Sequence, residues 1–402
     1  MAFNIIMATL AFLSLGITLW QFFVAMRFPL HRHVGDKSYR PSVTLLKPLK
    51  GADADTFQCL ESWLAQDYAG PAQILFGVAS ADDPVGEIVR QLIAANPGRD
   101  AQLVVCSESF GANAKVSTLI QLHRRARYDV VVVSDADVRV PRDFLTNAIA
   151  PLRDPAVGLV NCFYRIANPS TLAMQWEAIA VNADFWSQVL QSRSLKPLDF
   201  ALGAVMITTR QQLDAIGGLE ALVDFLADDY QLGNRIAKRG ARVVLSPVVV
   251  ECWESPKSWR EVWQHQLRWA RTIRVCQPLP YFFSILGNAT LWPLLWLLFN
   301  LPFVRVTSSS NAAAGATDFF VIHIILSMVA PMVLICWLAR IAAAVCQQSR
   351  LTQTAAGWVF CWFVPVKDLL SAVVWALAFL GNTVEWRDRR YRVRRGGRLV
   401  KI

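Results

Sequence analysis

Long uncharged apolar runs lie toward both ends of the chain, and between them the hydrophobic positions recur on the shorter periods of a folded α/β unit. Residues 1–26 carry no charged side chain. At about 1.5 Å per residue, such a helix covers a hydrocarbon core of about 30 Å. Two further uncharged runs, 281–304 and 319–339, predict two more spans, joined by a polar, small-residue loop (308–314) suited to the outer face. A fourth apolar region, 358–380, is divided by Pro365, Lys367 and Asp368 into halves shorter than the roughly 17 to 25 residues of a span. A fourth crossing would carry the C-terminal segment outside, so the pattern favours a re-entrant or interfacial hairpin with Lys367 and Asp368 near its turn. The alternative is a full span with a buried, functional ion pair.

From 41 to about 250 the pattern changes. Short β-rich runs at 43–46, 73–78, 102–105, 129–134, 158–161, 203–208 and 242–245 alternate with helical stretches such as 56–66 and 86–95. The unbroken run Val130–Val133 predicts a central strand covered on both faces, and the βαβα order predicts a mostly parallel sheet. Ligands then bind at the carboxyl ends of the strands.

Charge sharpens this picture. The formal net charge is +10 with 54% hydrophobic residues, and only 17% are charged, against about 25% in soluble domains. Residues 385–402 hold eight Arg or Lys against two acids, and 27–40 hold four against one. Those two flanks carry nearly all the excess, which marks them as cytosolic segments facing anionic headgroups. The near-neutral middle excludes nucleic acid as a partner. The eight cysteines have no C-x-x-C spacing, so neither a zinc module nor a disulfide scaffold is expected. No internal repeat supports a transporter, and a scaffold without catalysis remains the non-enzymatic alternative.

Candidate chemistry follows the strand ends. Asp135 and Asp137 close the 129–134 strand and, two residues apart on an extended chain, face the same way. Two hard carboxylate ligands completed by phosphate oxygens suit Mg²⁺ or Mn²⁺; the plainer reading is a solvated turn. Asp82 and Asp83 follow the 73–78 strand, where they either accept hydrogen bonds from a nucleobase or ribose or cap a helix before Pro84. Asp228 and Asp229 begin a helical stretch and serve as cap or as general base. Ser258 and Glu261 form a capping-box signature for a helix with an apolar stripe of Trp259, Val262, Trp263, Ala270 and Ile273, expected at the membrane surface. On it, His265, Arg268 and Trp269 share one face, fit either to hold a diphosphate and stack on a sugar or to anchor in the interface.

The ordered set D-D-P (Asp82–Pro84), D-x-D (Asp135, Asp137), D-D-Y (Asp228–Tyr230) and R-W (Arg268, Trp269) resembles the membrane-bound inverting GT-A glycosyltransferases, and within them the ceramide glucosyltransferase family. The likeness extends over 43–51, Gln66–Tyr68, Gly111–Lys115, Gly217–Leu219 and the segment from Glu385 to Gly397. It implies a GT-A domain, with a Rossmann-like, mostly parallel sheet, inserted between transmembrane helices: an anchor at 1–27, the catalytic domain at 41–255, an interfacial helix at 256–278, a membrane region at 279–384 and a basic cytosolic tail at 385–402. The resemblance further implies that Asp83 contacts the nucleotide, Asp135 the metal and diphosphate, Lys115 and Arg268 the diphosphate, and that Asp229 is the catalytic base. His265 stands where the family usually has Gln or Arg, which leaves that position's role open. The implied reaction moves a hexosyl group from a UDP-sugar to a lipid hydroxyl, ceramide first, at the cytosolic side of a bacterial inner membrane. A hopanoid acceptor with UDP-N-acetylglucosamine is the alternative, and three or four membrane segments are few for a processive polysaccharide synthase.

Overall fold

The structure, a computed structural model, describes residues 2–300, 312–386 and 389–402. Its centre is an eight-stranded sheet in the order β3-β2-β1-β4-β7-β6-β8-β5, formed by β1 (Val43–Leu49), β2 (Ala72–Val78), β3 (Asp100–Val105), β4 (Val130–Ser134), β5 (Val138–Arg139), β6 (Val157–Ile166), β7 (Val205–Thr209) and β8 (Arg242–Cys252). β1 to β4 are parallel, β7 runs antiparallel between β4 and β6, and β6 pairs in parallel with β8. Alternation explains the double-sided core. Val130 and Val132 point into one layer with Trp63, Phe76 and Phe144, whereas Val131 and Val133 point into the other with Leu119, Trp186 and Ile236. The fold is therefore the mixed α/β, mostly parallel class expected.

The second layer is also where the long apolar helices meet the domain. Ala25 and Phe28, at the end of the Ala2–Arg27 helix, and Leu351, in the Ala312–Thr352 helix, share its core. Three helices among the described residues are long and apolar enough to cross a bilayer: Ala2–Arg27, Met328–Thr352 and Cys361–Ala378. The expected span at 281–304 is instead bent by 53° between Pro278–Gly287 and Leu291–Asn300, with 301–304 outside the described residues. The cause is local and polar. Asn288 Oδ1 accepts the N–H groups of Thr290 (3.2 Å) and Leu291 (2.9 Å), while its amide and the Thr290 hydroxyl are bonded to Asp368. The polar part of the outer loop, 308–311, also lies outside the described residues, and residues 312–314 already belong to the Ala312–Thr352 helix.

The hairpin turn expected at Lys367 and Asp368 is not found. Both residues lie inside the Val364–Ala378 helix, which Pro365 begins rather than breaks because a first-turn proline has no N–H to lose. Their charges are buried but matched. Asp368 bonds Arg340 (2.8 Å) and Lys367 (2.7 Å), and Arg340 also bonds Asp184 (2.9 Å), which pairs with Lys367 as well. Two cations and two anions close a ring between the long apolar helices and Asp184, which belongs to a π-helical stretch, Ala180–Phe185, in the run of helix leaving β6.

The C-terminal segment is more than a basic tail. β9 (Thr383–Trp386), β10 (Arg389–Arg394) and β11 (Arg398–Lys401) form an antiparallel meander around Val384, Tyr391, Val393 and Leu399. It docks on the domain: Leu226 N–H donates to Gly397 O (3.0 Å) and Leu399 N–H to Asp224 O (2.7 Å).

Candidate active site

The carboxyl ends of β1, β2 and β4 meet the start of β7 along one edge, where Asp135 N–H donates to Ala204 O (3.1 Å). The Asp135–Asp137 turn is held from below by Lys47, buried in mid-strand β1. Its ammonium donates to Ser134 Oγ (3.1 Å), to Asp135 O and to Val138 O (3.3 Å). Burial lowers the Lys47 pKa to about 8, against the pull of Asp137. Two backbone carbonyls and the Ser134 hydroxyl thus take the lysine's three donors.

Lys115 joins this turn to the second acidic pair. From the first turn of the Ala114–His123 helix it bonds Asp135 (2.6 Å) and Asp228 (3.4 Å). Asn113 caps that helix through Val116 N–H (3.1 Å) and also donates to Phe225 O (2.8 Å), which fixes Lys115 against the loop leading to Asp228. Asp228 and Asp229 open the Asp228–Lys238 helix; Ala227 is its N-cap, and Asp229 Oδ1 accepts one first-turn N–H, that of Tyr230 (2.7 Å). Burial, then the Asp228 charge, pushes the Asp229 carboxyl up to about 7, with Lys115 opposing. Burial acts to lower the Lys115 pKa, but Asp135 and Asp228 outweigh it and keep the ammonium protonated above the ordinary lysine range. Asp137 is pushed up to about 7 by burial and then by Asp135 and Glu254.

Repulsion between Asp135 and Asp137 is what a divalent cation relieves. Among the described residues no group of three His, Cys, Asp or Glu forms a cluster that could hold a metal ion by itself.

Gly203, just before β7, faces Asp229. A Cβ there would come within 2.8 Å of Asp229 Oδ2. Gly203→Ala is expected to turn the carboxylate aside and lower kcat by about ten- to a hundredfold while Tm stays within a few degrees; unchanged kcat would count against Asp229 as a reacting group.

The other expected residues sit differently. Asp83 accepts Gly51 N–H on both oxygens (3.0 and 3.2 Å) and Val85 N–H on Oδ1 (3.1 Å), tying the end of β1 to the end of β2, where Gly51 takes a φ of 70°. Pro84, not Asp83, is the N-cap of the Val85–Ala95 helix, and Asp82 is exposed beside it. His265, Arg268 and Trp269 lie on the Trp259–Cys276 helix, begun by the Ser258–Glu261 capping box. Its apolar stripe is divided: Val262, Trp263 and Ala270 pack on Ala173, Trp176 and Val374, while Trp259 and Ile273 stay exposed. Protein therefore covers part of the stripe expected at the membrane surface, and Trp259 and Ile273 are the members left exposed.

His265 Nδ1 is bonded to Glu177, fully buried on the Leu172–Ile179 helix, which also accepts from Gln266 (3.0 Å). The imidazole packs 4.8 Å from the Trp269 ring, and Trp269 packs on Phe185 (6.1 Å). Tyr164 stands between this group and the acidic cluster. Its ring meets Phe185 (5.5 Å), and burial first, then Cys252, Asp229, Asp135 and Glu177, raise its hydroxyl pKa well above the usual range, so it stays a donor. His265 and Trp269 thus pair with Glu177 and an aromatic wall, not directly with the carboxylates. Arg268 is half-buried on the same helix.

Lys47, Glu177 and Tyr164 gave no functional signal in the chain. A lysine inside an apolar strand and a glutamate inside an apolar helix were the available hints, since such residues are buried only with partners.

An acidic cluster bridged by a lysine thus lies at the carboxyl edge of an α/β sheet, in a chain that also has helices long and apolar enough to cross a bilayer. Residues 5–399 match the model of glycosyl transferase family 21, and the chain belongs to that family. Ceramide glucosyltransferase 1 of Caenorhabditis elegans is 23% identical over 373 residues, 92% of this chain and 76% of the relative. Ceramide glucosyltransferase of Candida albicans is 35% identical over 129 residues, 29% of this chain and 24% of the relative. Among solved structures, a mannosyltransferase of Pyrobaculum calidifontis in complex with GDP-Man and Mn²⁺ is 21% identical with a TM-score of 0.49, covering 92% of this chain and 97% of that one.

Proposed function

We propose that this protein transfers a hexosyl group from a UDP-sugar to the primary hydroxyl of a membrane lipid, with ceramide as the acceptor and inversion at the anomeric carbon. The observation that carries the reading is the bridge from Asp135 through Lys115 to Asp228, with Asp229 next to it, at the ligand-binding edge of the sheet. Lys115 and Arg268 hold the diphosphate, and Asp83 serves the nucleotide beyond the end of β2. Asp135 and Asp137 would hold Mg²⁺ or Mn²⁺, which offsets negative charge on the diphosphate. Asp229 takes the proton from the acceptor hydroxyl as its oxygen bonds to the anomeric carbon. The bond from that carbon to the UDP oxygen breaks from the opposite side, and its electron pair leaves on the diphosphate. His265 and Trp269, set by Glu177 and Phe185, border the acceptor.

Asp229 must be ionised to act, and its pKa is raised, so the base is lost as pH falls through about 7. The expected kcat/KM of the free enzyme falls about tenfold per unit below that value and is flat above it. A profile flat from pH 5.5 to 8 would remove Asp229 from this role. Chelation of divalent cations is expected to abolish UDP binding in calorimetry, with recovery on adding Mg²⁺ or Mn²⁺; binding unaffected by chelator would contradict the assignment of Asp135 and Asp137.

The direct test is mass spectrometry of lipids after purified protein is offered a panel of UDP-sugars with ceramide or a hopanoid. Hexosylated ceramide is the expected product. Product on the hopanoid alone would replace the acceptor, and no product with any pair would overturn the reading. The catalytic domain is assigned to the cytosolic side. The basic flanks support this, as does the docking of the meander on the domain, since both must then share one side.

A further inference from the structure

We infer that the C-terminal meander carries a binding site for the phosphate of an anionic phospholipid headgroup, separate from the candidate active site. Arg394, Arg395 and Arg398 line a cavity of about 570 Å³ with Asp224, Leu399 and Val400. All three arginines are exposed, and one carboxylate faces them: Arg398 pairs with Asp224 at 3.3 Å. The lining is therefore net cationic. Guanidinium groups present paired N–H donors in the plane that phosphate oxygens require.

Strand register places this cavity level with the end of the long apolar helix. The Val364–Ala378 helix, within a segment apolar enough to cross, ends just before β9, which leads away from it. β10 then returns antiparallel, with Arg392 opposite Thr383 and Val393 N–H donating to Asn382 O (2.8 Å). Arg394 and Arg395 consequently lie back at the level of Gly381 and Asn382, where the membrane helix ends, and Arg398 is opposite Arg394 across β10 and β11. The Trp259–Cys276 helix finishes at the same level. Its Arg274 bonds Asn382, and a Cβ on Gly397 would stand 3.1 Å from Cys276 Sγ, next to the apolar helix that begins at Pro278. A phosphodiester fixed at the surface of the bilayer meets this cavity at high local concentration, which a soluble phosphate does not. The inference is independent of donor and acceptor identity.

Native mass spectrometry of the full-length protein in nonionic detergent tests it, with dihexanoyl phosphatidylglycerol, dihexanoyl phosphatidylcholine and glycerol phosphate as probes. Phosphatidylglycerol is expected to bind best. Arg394→Gln with Arg395→Gln is expected to weaken it by about tenfold or more, since hydrogen bonds to charged groups are lost. Arg390→Gln with Arg392→Gln removes the same charge from β10 outside the cavity and is expected to leave binding within about twofold. Equal losses in the two pairs would show diffuse attraction and overturn the site. Equal binding of both lipids would do the same, and so would glycerol phosphate binding as well as phosphatidylglycerol. If the Gln pair lowers Tm, Arg394→Lys with Arg395→Lys keeps the charge: weakened binding at wild-type Tm is expected and supports a site read by guanidinium geometry, whereas wild-type binding by the Lys pair or by a folded Gln pair would overturn it.

Discussion

Replacing Asp229 with asparagine is expected to lower kcat about a thousandfold, roughly 4 kcal/mol of transition-state stabilisation, while UDP-sugar affinity changes by no more than a few-fold. Asparagine keeps the shape beside Gly203 and can still meet Tyr230 N–H, which Asp229 Oδ1 accepts at 2.7 Å. What it removes is the place for a proton. The same substitution should raise Tm by a few degrees at pH 8. A carboxyl whose folded pKa is raised to about 7 favours the folded state while protonated, and that contribution is lost as pH rises from the unfolded value near 3.8 through 7. A neutral side chain avoids the loss, so the gain should shrink at pH 5.5. Transfer is measured by product formation at saturating donor and stability by thermal unfolding in detergent. A kcat within tenfold of wild type would refute the role, and a lower Tm at pH 8 would refute the electrostatic account. Stability gained as activity is lost is what a charge held for chemistry predicts.

Breaking the buried ring is the second large effect. Arg340→Met leaves Asp184 and Asp368 sharing Lys367, an unbalanced negative charge in the interior, and is expected to destabilise the protein by about 3–5 kcal/mol. Adding Asp184→Asn restores balance between Lys367 and Asp368, and the double variant should recover a substantial part of that loss. The double-mutant comparison distinguishes charge imbalance from lost packing, because a packing defect would simply add. Unfolding of Arg340→Met at the wild-type midpoint would mean that the ring contributes nothing. Phe185, one residue beyond Asp184, packs on Tyr164 and Trp269, so Arg340→Met should also raise the KM for the lipid acceptor more than that for the sugar donor.

The sheet was legible because its strands are near-continuous apolar runs between turn residues, and Val130–Val133 announced a strand buried on both faces. Asp135 and Asp137 could be assigned to a strand end for the same reason. Short-range patterns failed where long-range partners decide. Pro365, Lys367 and Asp368 look like a break in an apolar run, yet Arg340 and Asp184, distant in sequence, neutralise the charges and let the helix continue. The bend at Asn288 was hidden because the same carboxylate, Asp368, stabilises it from another helix. His265 faced the same limit: its partner Glu177 lies 88 residues away, and no spacing rule links them. Glycines and basic residues between 385 and 402 read as a tail, although Tyr391, Val393 and Leu399 alternate with charged residues in the β-period that the meander uses.

The ring also predicts an order of assembly. Without Asp184, the helices that follow the domain bring Arg340 and Lys367 against the single carboxylate of Asp368, a net positive charge that hydrocarbon does not tolerate. Asp184 comes earlier in the chain, on a segment packed to the sheet, so a folded domain offers the missing anion before those helices emerge from synthesis. The α/β domain is then expected to act as an assembly template for the long apolar helices. Asp184→Asn should accordingly slow integration of the Met328–Thr352 and Cys361–Ala378 segments, seen as prolonged protease sensitivity during synthesis into membranes; integration at the wild-type rate would rule the template out.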